Sequence, residues 1–354
     1  MQRNGDLRSI LDRFSGARVA LVGDLAADEY VYGETDRISR EAPVLVVRFE
    51  ASEVKLGCAG NAGANLAALG VRVLPVALVG DDEAGERLRG LLAGIGADTR
   101  GVLTAPGLPT ARKTRILAGG KNTRRQQMIR IDRDGPGPPP AALLGPLLRA
   151  VREAAADADA VLVSDYGLGL LARPVLETVL RIAAQGKIVC ADARYGLSQY
   201  RGVTVAKPNE VELEHAVGRP LGGDLAVLEE AGREMLRTLR AGSLLVTRGR
   251  SGMVLLRPGA PTAVLPVHGS PTAVDVTGAG DTVMAANTAA LAVGAEPIAA
   301  ARLANVAGAL VVQKPGTATV TIAELRRELS RAEIAHPELL DASQETARRR
   351  KARR

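Results

Sequence analysis

The sequence predicts an α/β fold: three αβα layers around a mainly parallel central sheet, with a small β-sheet appended. Three observations predict it. Beyond the connector GPGPPP (135–140), short β-branched runs alternate with Ala/Leu/Arg-rich helical segments, the pattern of a doubly covered parallel sheet. Polar residues collect where those runs end, as they do on the ligand-binding edge of an open α/β sheet. Two further stretches, 28–50 and 110–134, alternate like strands without intervening helices and fall outside the βαβ pattern.

Taken in order, ARVALVGD (17–24) is an apolar run closed by Gly-Asp and reads as a first buried strand. EYVYGETDRIS and APVLVVRFEASEVKLG follow as exposed or edge strands. NAGANLAALG (61–70) has helical character with Gly70 at its C-terminal cap, and VRVLPVALVG (71–80) is a strand. DDEAGERLRGLLAGIG is a helix opened by acidic residues, which suit its positive end. The stretch 110–134 reads as a hairpin turning at Gly119-Gly120-Lys121-Asn122. It is polar on both faces, is expected to pack against little, and is paired with 28–50 as an appendage over the larger domain. DAVLVSDYG, KIVCADAR, VTVAKPNE, SLLVTRG and MVLLRPG are the later strands. The apolar region 283–312 is broken by Glu296, Pro297 and Arg302 and reads as two core helices, not a membrane span. The expected division is a main domain of 1–27, 51–108 and 135–330, a β appendage of 28–50 and 109–134, and a flexible basic tail, 331–354.

Composition narrows the function. Apolar residues make up 46%, enough for a sizeable core. Aromatics at 2%, with no Trp, argue against a single-stranded nucleic-acid binder built on stacked rings. The net charge of +7 sits in the tail ARRRKARR (347–354); without its six basic residues, 40 basic residues face 39 acidic ones. That tail reads as a solvated terminus, with weak salt-sensitive nucleic-acid contact as the lesser alternative. Cys58 and Cys190 lie far apart with no Cys/His cluster, so neither a zinc site nor a disulfide framework is predicted. Reduced thiols and an N-terminus without a signal-peptide core point to the cytoplasm.

The chemistry gathers in three stretches. DVTGAGD (275–281) places Gly278, Ala279 and Gly280 ahead of a helix. Converging amides at a helix start hold an anion, and Asp281 beside them would be a general base. The plainer alternative makes Asp281 an N-cap and the glycines a turn, and the motif alone tips slightly that way. PNEVE (208–212) carries Asn209 and Glu212 in N-x-x-E spacing, which holds a hydrated Mg²⁺ or, more simply, caps a helix. In LGCAGNAGANL (56–66), Asn61 either meets a sugar hydroxyl where glycines allow close approach or sits in a tightly packed loop. His215, His268 and His336 are isolated and read as surface or capping residues, and Met253 as core. Arg112, Lys113, Arg115, Arg124, Arg125 and Arg130 stud the hairpin; a solvated face is the default, and a grip on a substrate phosphate the alternative.

Together, GD…D (24, 28), GxxGN (57–61), N-x-x-E (209–212), TRGxxG (247–252) and DVTGAGD (275–281) resemble the ribokinase-like, or PfkB, sugar kinase family. These motifs span roughly residues 18 to 320. Within the family, GDLAADEYVYGETDRISREAPVLVV, RKTRI, QQMIRID, VSDYG and QKPGTATV look like the heptose 7-phosphate kinase branch, the kinase half of bacterial ADP-heptose synthesis enzymes. The resemblance implies a three-layer αβα ribokinase-like fold with a small β-sheet lid. It implies ATP-dependent phosphorylation of the anomeric hydroxyl of D-glycero-D-manno-heptose 7-phosphate. Asp281 would be the base and Gly278, Ala279 and Gly280 the anion hole; Asn209 and Glu212 would organise Mg²⁺. Asp24, Asp28, Gly57, Gly60, Asn61, Asn65, Arg112, Lys113 and Asp165 would serve the sugar. Lys207, Asn209, Thr247, Arg248, Gly249, Gly252, Asn305, Lys314 and Thr317 would lie near the nucleotide. ATP is the implied co-substrate, with Mg²⁺ and a monovalent cation as a further candidate, and the implied assembly is a homodimer through the lid.

The chain departs from the heptose branch at Arg40 and Leu45, where prolines stand, at Cys58 in place of a glycine, and at Leu168 in place of a lysine. No H-x-G-H signature of a nucleotidyltransferase occurs, so that second activity is not expected from this chain. The alternatives are another PfkB sugar or nucleoside kinase, or a sugar-binding homologue without turnover. Sparse aromatics count against a nucleoside acceptor, and the intact Asp281, Asn209 and Glu212 against loss of turnover. A nicotinamide oxidoreductase lacks its glycine fingerprint.

Overall fold

Alternation along the buried strands sets the layers. In β1 (Arg18–Gly23), Val19 and Leu21 enter one apolar cluster while Ala20 and Val22 enter another. A strand apolar on both faces needs cover on both, and the helices supply it. The computed structural model describes residues 4–120, 123, 125–270, 272–331 and 334–340.

The other strands, in chain order, are β2 (Leu25–Ile38), β3 (Leu45–Cys58), β4 (Arg72–Gly80), β5 (Val102–Ala105), β6 (Arg112–Gly119) and β7 (Gln126–Arg133). They continue with β8 (Ala160–Asp165), β9 (Ile188–Ala193), β10 (Val205–Ala206), β11 (Ser243–Thr247), β12 (Met253–Leu256), β13 (Thr262–Leu265) and β14 (Glu338–Leu340). The helices are α1 (Asn4–Asp12), α2 (Ala59–Ala68), α3 (Glu83–Gly94), α4 (Ala141–Asp157) and α5 (Arg173–Ala184). They end with α6 (Glu210–Val217), α7 (Leu225–Leu239), α8 (Ala279–Ala292), α9 (Pro297–Val311) and α10 (Ile322–Arg331). Helices α1, α2, α3, α8, α9 and α10 bury their apolar residues on one face of the sheet, and α4 to α7 on the other. Among the described residues, no helix is long and apolar enough to cross a membrane.

The large sheet runs β14-β13-β12-β11-β10-β9-β8-β1-β4-β5. From β11 to β5 its pairs are parallel, and from β11 to β14 antiparallel. The antiparallel edge corrects the expectation of a parallel sheet through MVLLRPG. Only residues 248–252 join β11 to β12, far too few for a crossover helix. Gly252 closes that turn with φ +78°, and a Cβ there would lie 2.1 Å from the Leu265 carbonyl oxygen. Part of the segment read as a tail joins the sheet: Ile334 is buried and β14 pairs with β13. The basic residues 347–354 lie outside the described residues.

A second sheet has the order β3-β2-β6-β7. The two stretches read as an appendage do pair, but β2 is interior, not an edge, and its first residues are buried. Strand β7 is exposed throughout, whereas β6 is half-buried between its neighbours. Of the expected turn residues, Lys121 and Asn122 lie outside the described residues. Register assigns each face of this sheet. Lys55, Asp28, Lys113 and Asp132 form one row and Glu53, Tyr30, Arg115 and Arg130 the next, on the same face. Ile116, Ile129 and Ile131 lie on the opposite face.

The carboxyl ends of β1, β8, β9, β10 and β11 open on one edge of the large sheet, where β1 changes the direction of strand order. Packing there is tight. A Cβ at Gly23 would stand 2.4 Å from the Ser164 carbonyl oxygen and 2.7 Å from Ala59 Cβ. Gly23→Ala is therefore expected to lower unfolding free energy by about 1–3 kcal/mol in urea titration. Gly90→Ala, on the exposed side of α3 with nothing within 4 Å, is expected to raise it by up to ~1 kcal/mol.

Candidate active site

The site is built around the start of α8. Gly278, at φ +76°, is the residue before the helix, so the helix begins at Ala279 and not at Asp281. This corrects the reading of Asp281 as an N-cap: the carboxylate lies within the first turn and points inward. Ala279 N–H is taken by the Val276 carbonyl at 3.2 Å, which removes it from a converging trio of amides. The amides of Gly280 and Asp281 remain without an intrahelical acceptor, as first-turn amides do. Asp275 braces the preceding loop by accepting from Thr277 N–H and Gly316 N–H, both at 2.9 Å.

Asp281 is 4% exposed. Asn61 Nδ2 donates to its Oδ2 at 2.8 Å, and the Tyr166 hydroxyl donates to its Oδ1 at 2.7 Å. Burial pushes its pKa up to about 7; the Asn61 and Tyr166 donors oppose the rise, and Asp192 adds to it. Asn61 is fixed in turn. Asn65 Nδ2 donates to its carbonyl at 3.0 Å, while Asn65 Oδ1 accepts from the Thr282 hydroxyl at 3.0 Å. Asn61 thus meets the carboxylate, not open space over a sugar.

A cavity of about 640 Å³ opens beside Asp281, Gly278 and Gly280, lined also by Asp165, Asp192, Lys207, Asn209, Glu212, Thr247 and Gly249. Lys207 is buried and pairs with Asp192 Oδ1 at 3.1 Å. A Cβ at Gly280 would lie 3.4 Å from Lys207 Nζ, so the glycine lets the ammonium approach the helix start. Burial alone would depress that lysine; Asp192, Glu212 and Asp281 together hold its pKa above the ordinary value. Asn209 and Glu212 form a reciprocal capping box on α6, with both bonds at 2.8 Å. That is the simpler of the two readings of N-x-x-E, and Glu212 lines the cavity as well. Among the described residues, no group of three or more His, Cys, Asp or Glu is placed to enclose a metal. Glu212 and Asn209, both on the cavity wall, could serve a Mg²⁺ that keeps several waters and takes further ligands from phosphates.

Other predicted residues are placed differently. Asp24 spends its carboxylate on the loop after β8, accepting from Tyr166, Leu168 and Leu170 N–H at 2.9, 3.0 and 3.1 Å. Asp28 pairs with Arg115 at 2.9 Å and packs on Gly57, where a Cβ would meet Asp28 Cγ at 2.7 Å. Gly60 fits against Leu25 and Leu56. Asp165 accepts from the Tyr200 hydroxyl at 2.5 Å while lining the cavity. Arg112 pairs with Glu29 at 3.8 Å. Lys113 Nζ donates to Cys58 Sγ at 3.1 Å and lies 5.2 Å from the centre of the Tyr166 ring. Arg248 is bound to Glu210, Lys314 to Glu324 and the Thr319 carbonyl, and Asn305 to the Pro266 carbonyl. The Thr317 and Tyr30 hydroxyls are 3.4 Å apart. None of Arg248, Lys314, Asn305 and Thr317 is among the residues lining the cavity.

Sequence reasoning missed Tyr166 as a site residue, and Asp192 as the partner of Lys207. Asp192 had a signal, since it follows a predicted strand. Tyr166 also closes a predicted strand, in the motif VSDYG, but nothing local in the sequence points to its bond with Asp281, 115 residues away. Cys58 carries φ +53° and ψ −131°, a conformation suited to glycine, which accounts for the glycine expected at that position.

Residues 17–324 match the family described as pfkB family carbohydrate kinase. The bifunctional protein HldE of Desulfatibacillum aliphaticivorans is 40% identical over 334 residues, covering 94% of this chain and 67% of that protein. HldE of Nitrobacter hamburgensis is 39% identical over 328 residues, covering 92% and 66%. The chain thus spans about two thirds of the length of these relatives. Among solved structures, Arabidopsis thaliana ribokinase complexed with ribose and ATP superposes with a TM-score of 0.68 at 21% identity, covering 89% of this chain and 99% of that one. Phosphofructokinase-2 of Escherichia coli, in complex with substrates and products, gives 0.72 at 18%, covering 89% and 98%. The fold is therefore ribokinase-like.

The raised pKa of Asp281 has a stability consequence. The folded chain keeps a proton that the unfolded chain releases near pH 4, so this carboxyl costs the fold stability progressively from about pH 4 to 7. Asp281→Asn removes that cost. The variant is expected to gain melting temperature over wild type between pH 5 and 8, by a difference on the order of 2–4 kcal/mol in scanning calorimetry. Parallel curves across that range would show that Asp281 titrates normally.

Proposed function

The chain belongs to the pfkB family of carbohydrate kinases, and within it we propose transfer of the γ-phosphoryl group of ATP to the anomeric hydroxyl of a heptose 7-phosphate. The observation that carries this reading is the buried Asp281 carboxylate at the start of α8, beside free first-turn amides and the Lys207 ammonium. Asp281 takes the proton of the acceptor hydroxyl as its oxygen bonds to the γ-phosphorus and the bond to ADP breaks. The Gly280 and Asp281 amides and Lys207 meet the charge on the phosphoryl oxygens. Glu212 and Asn209 would hold a hydrated Mg²⁺, which neutralises phosphate charge.

The acceptor's own phosphate is assigned to the charged face of the small sheet. Lys113, Arg115 and Arg130 share that face with Asp28 and Tyr30, and Lys113 reaches the Tyr166 ring. The motifs shared with heptose 7-phosphate kinases support the same acceptor. The small sheet acts as a lid that keeps water from the γ-phosphate. Its opposite face exposes Ile129 and Ile131, and the outer strand exposes Phe49, an apolar surface that suits a homodimer through the lid. Two free, buried cysteines suit a cytoplasmic setting.

Asp281→Asn is expected to cut turnover by roughly 10²–10⁴-fold while ATP binding, read by calorimetry, persists. Near-normal turnover would remove Asp281 from the role of base. In an ADP-release screen, heptose 7-phosphate is expected to outpace ribose, fructose and unphosphorylated heptose; the reverse order would overturn the acceptor. A double Ile129→Glu and Ile131→Glu variant is expected to sediment as a monomer where wild type sediments as a dimer.

A further inference from the structure

We propose that Tyr166 is a positioning residue for Asp281: its phenol donates to the carboxylate, favours the charged form over the neutral one, and keeps it turned so that lone pairs remain for the acceptor hydroxyl. This rests on the reading of Asp281 as the base. Each carboxylate oxygen has one fixed donor, Asn61 on Oδ2 and Tyr166 on Oδ1. An oxygen of a carboxylate accepts two hydrogen bonds, so one acceptor site on each stays available for an incoming alcohol.

Three features commit the phenol to donation. Its backbone N–H is bound by Asp24, which also takes the amides of Leu168 and Leu170 and so fixes the loop. Burial and the adjoining Asp281 keep the phenol far above its ordinary pKa, so it remains protonated and does not compete for the substrate proton. Lys113 stands over its ring, and a cation there strengthens O–H donation. Lys113 lies on β6 of the small sheet, so the lid reaches the base through this ring. The other charged or titratable groups facing Asp281 are Asp192, Lys207 and Cys58. Lys207 favours its ionised form, and Asp192 opposes it.

The test pairs two substitutions of opposite sign. Tyr166→Phe removes one hydrogen bond to the charged form, while 3-fluorotyrosine at position 166 makes a more acidic, stronger donor of the same shape. Two readouts are taken on the full chain: the acid limb of kcat/KM for the acceptor, and the Asp281 carboxyl titration by carbon-13 NMR. With Tyr166→Phe, both are expected to move up by about one pH unit, a roughly tenfold loss of rate on the acid side. With fluorotyrosine, both are expected to move down. If neither variant moves the carboxyl titration, or both move it the same way, the inference is overturned. If the titration moves with the expected signs and the kinetic limb does not, Tyr166 stands as the partner of Asp281, and it is the assignment of Asp281 as the base that fails.

Discussion

The structure turns on the cost of burying one carboxylate. Asp281 is taken from water at the start of α8, and an unpartnered buried charge would cost roughly several kcal/mol. Two donors and a nearby ammonium offset that cost, and each needs its own support. Asn61 is held by Asn65, which is held by Thr282 and the Val320 amide. Tyr166 is held by Asp24 at the end of β1, and Lys207 by Asp192 at the end of β9. Residues far apart in the chain are thereby bound to one geometry.

The scaffold makes such placement possible. Residues 281–291 of α8 are buried on every side, and Ala-rich turns let α9 and the sheet approach closely. A helix enclosed in this way has little freedom to rotate, so its first turn is aimed by the core itself. By contrast, α10 is strongly amphipathic and buries only Leu325 and Leu329. The parallel strands contribute differently. Their carboxyl ends bring Asp165, Asp192, Lys207, Asn209 and Thr247 to one edge, around a cavity that α8 closes. Charges of both signs meet there, and of the cavity's carboxylates Asp192 pairs with Lys207 while Asp165, Glu212 and Asp281 have no bonded cation among the described residues.

The small sheet has two unlike faces because pairing register alternates its side chains. Lys113, Arg115, Arg130, Asp28 and Asp132 lie on one, and Ile116, Ile129 and Ile131 on the other, together with the Arg112–Glu29 pair. The charged face meets the main domain through Lys113 and Tyr166, and through Tyr30 and Thr317. A bare solvated hairpin would need neither contact.

Much of this was legible in the chain itself. The strand and helix order, the ligand edge and the glycine turn before α8 follow from local pattern: β-branched runs, capping residues and small residues each act within a few positions. The family motifs, too, are contiguous strings. Sequence alone left Asp281 open between N-cap and buried base, and N-x-x-E between capping box and cation site. Only tertiary structure decided that Asp281 points inward to Asn61 and Tyr166, that Asp24 anchors a loop, and that Asn209 and Glu212 cap α6. It also turned the edge beyond β11 antiparallel and placed β2 inside its sheet. The physical reason is range. Propensity and spacing act along the chain, whereas a buried hydrogen bond is satisfied by whichever residue the packing brings within about 3 Å.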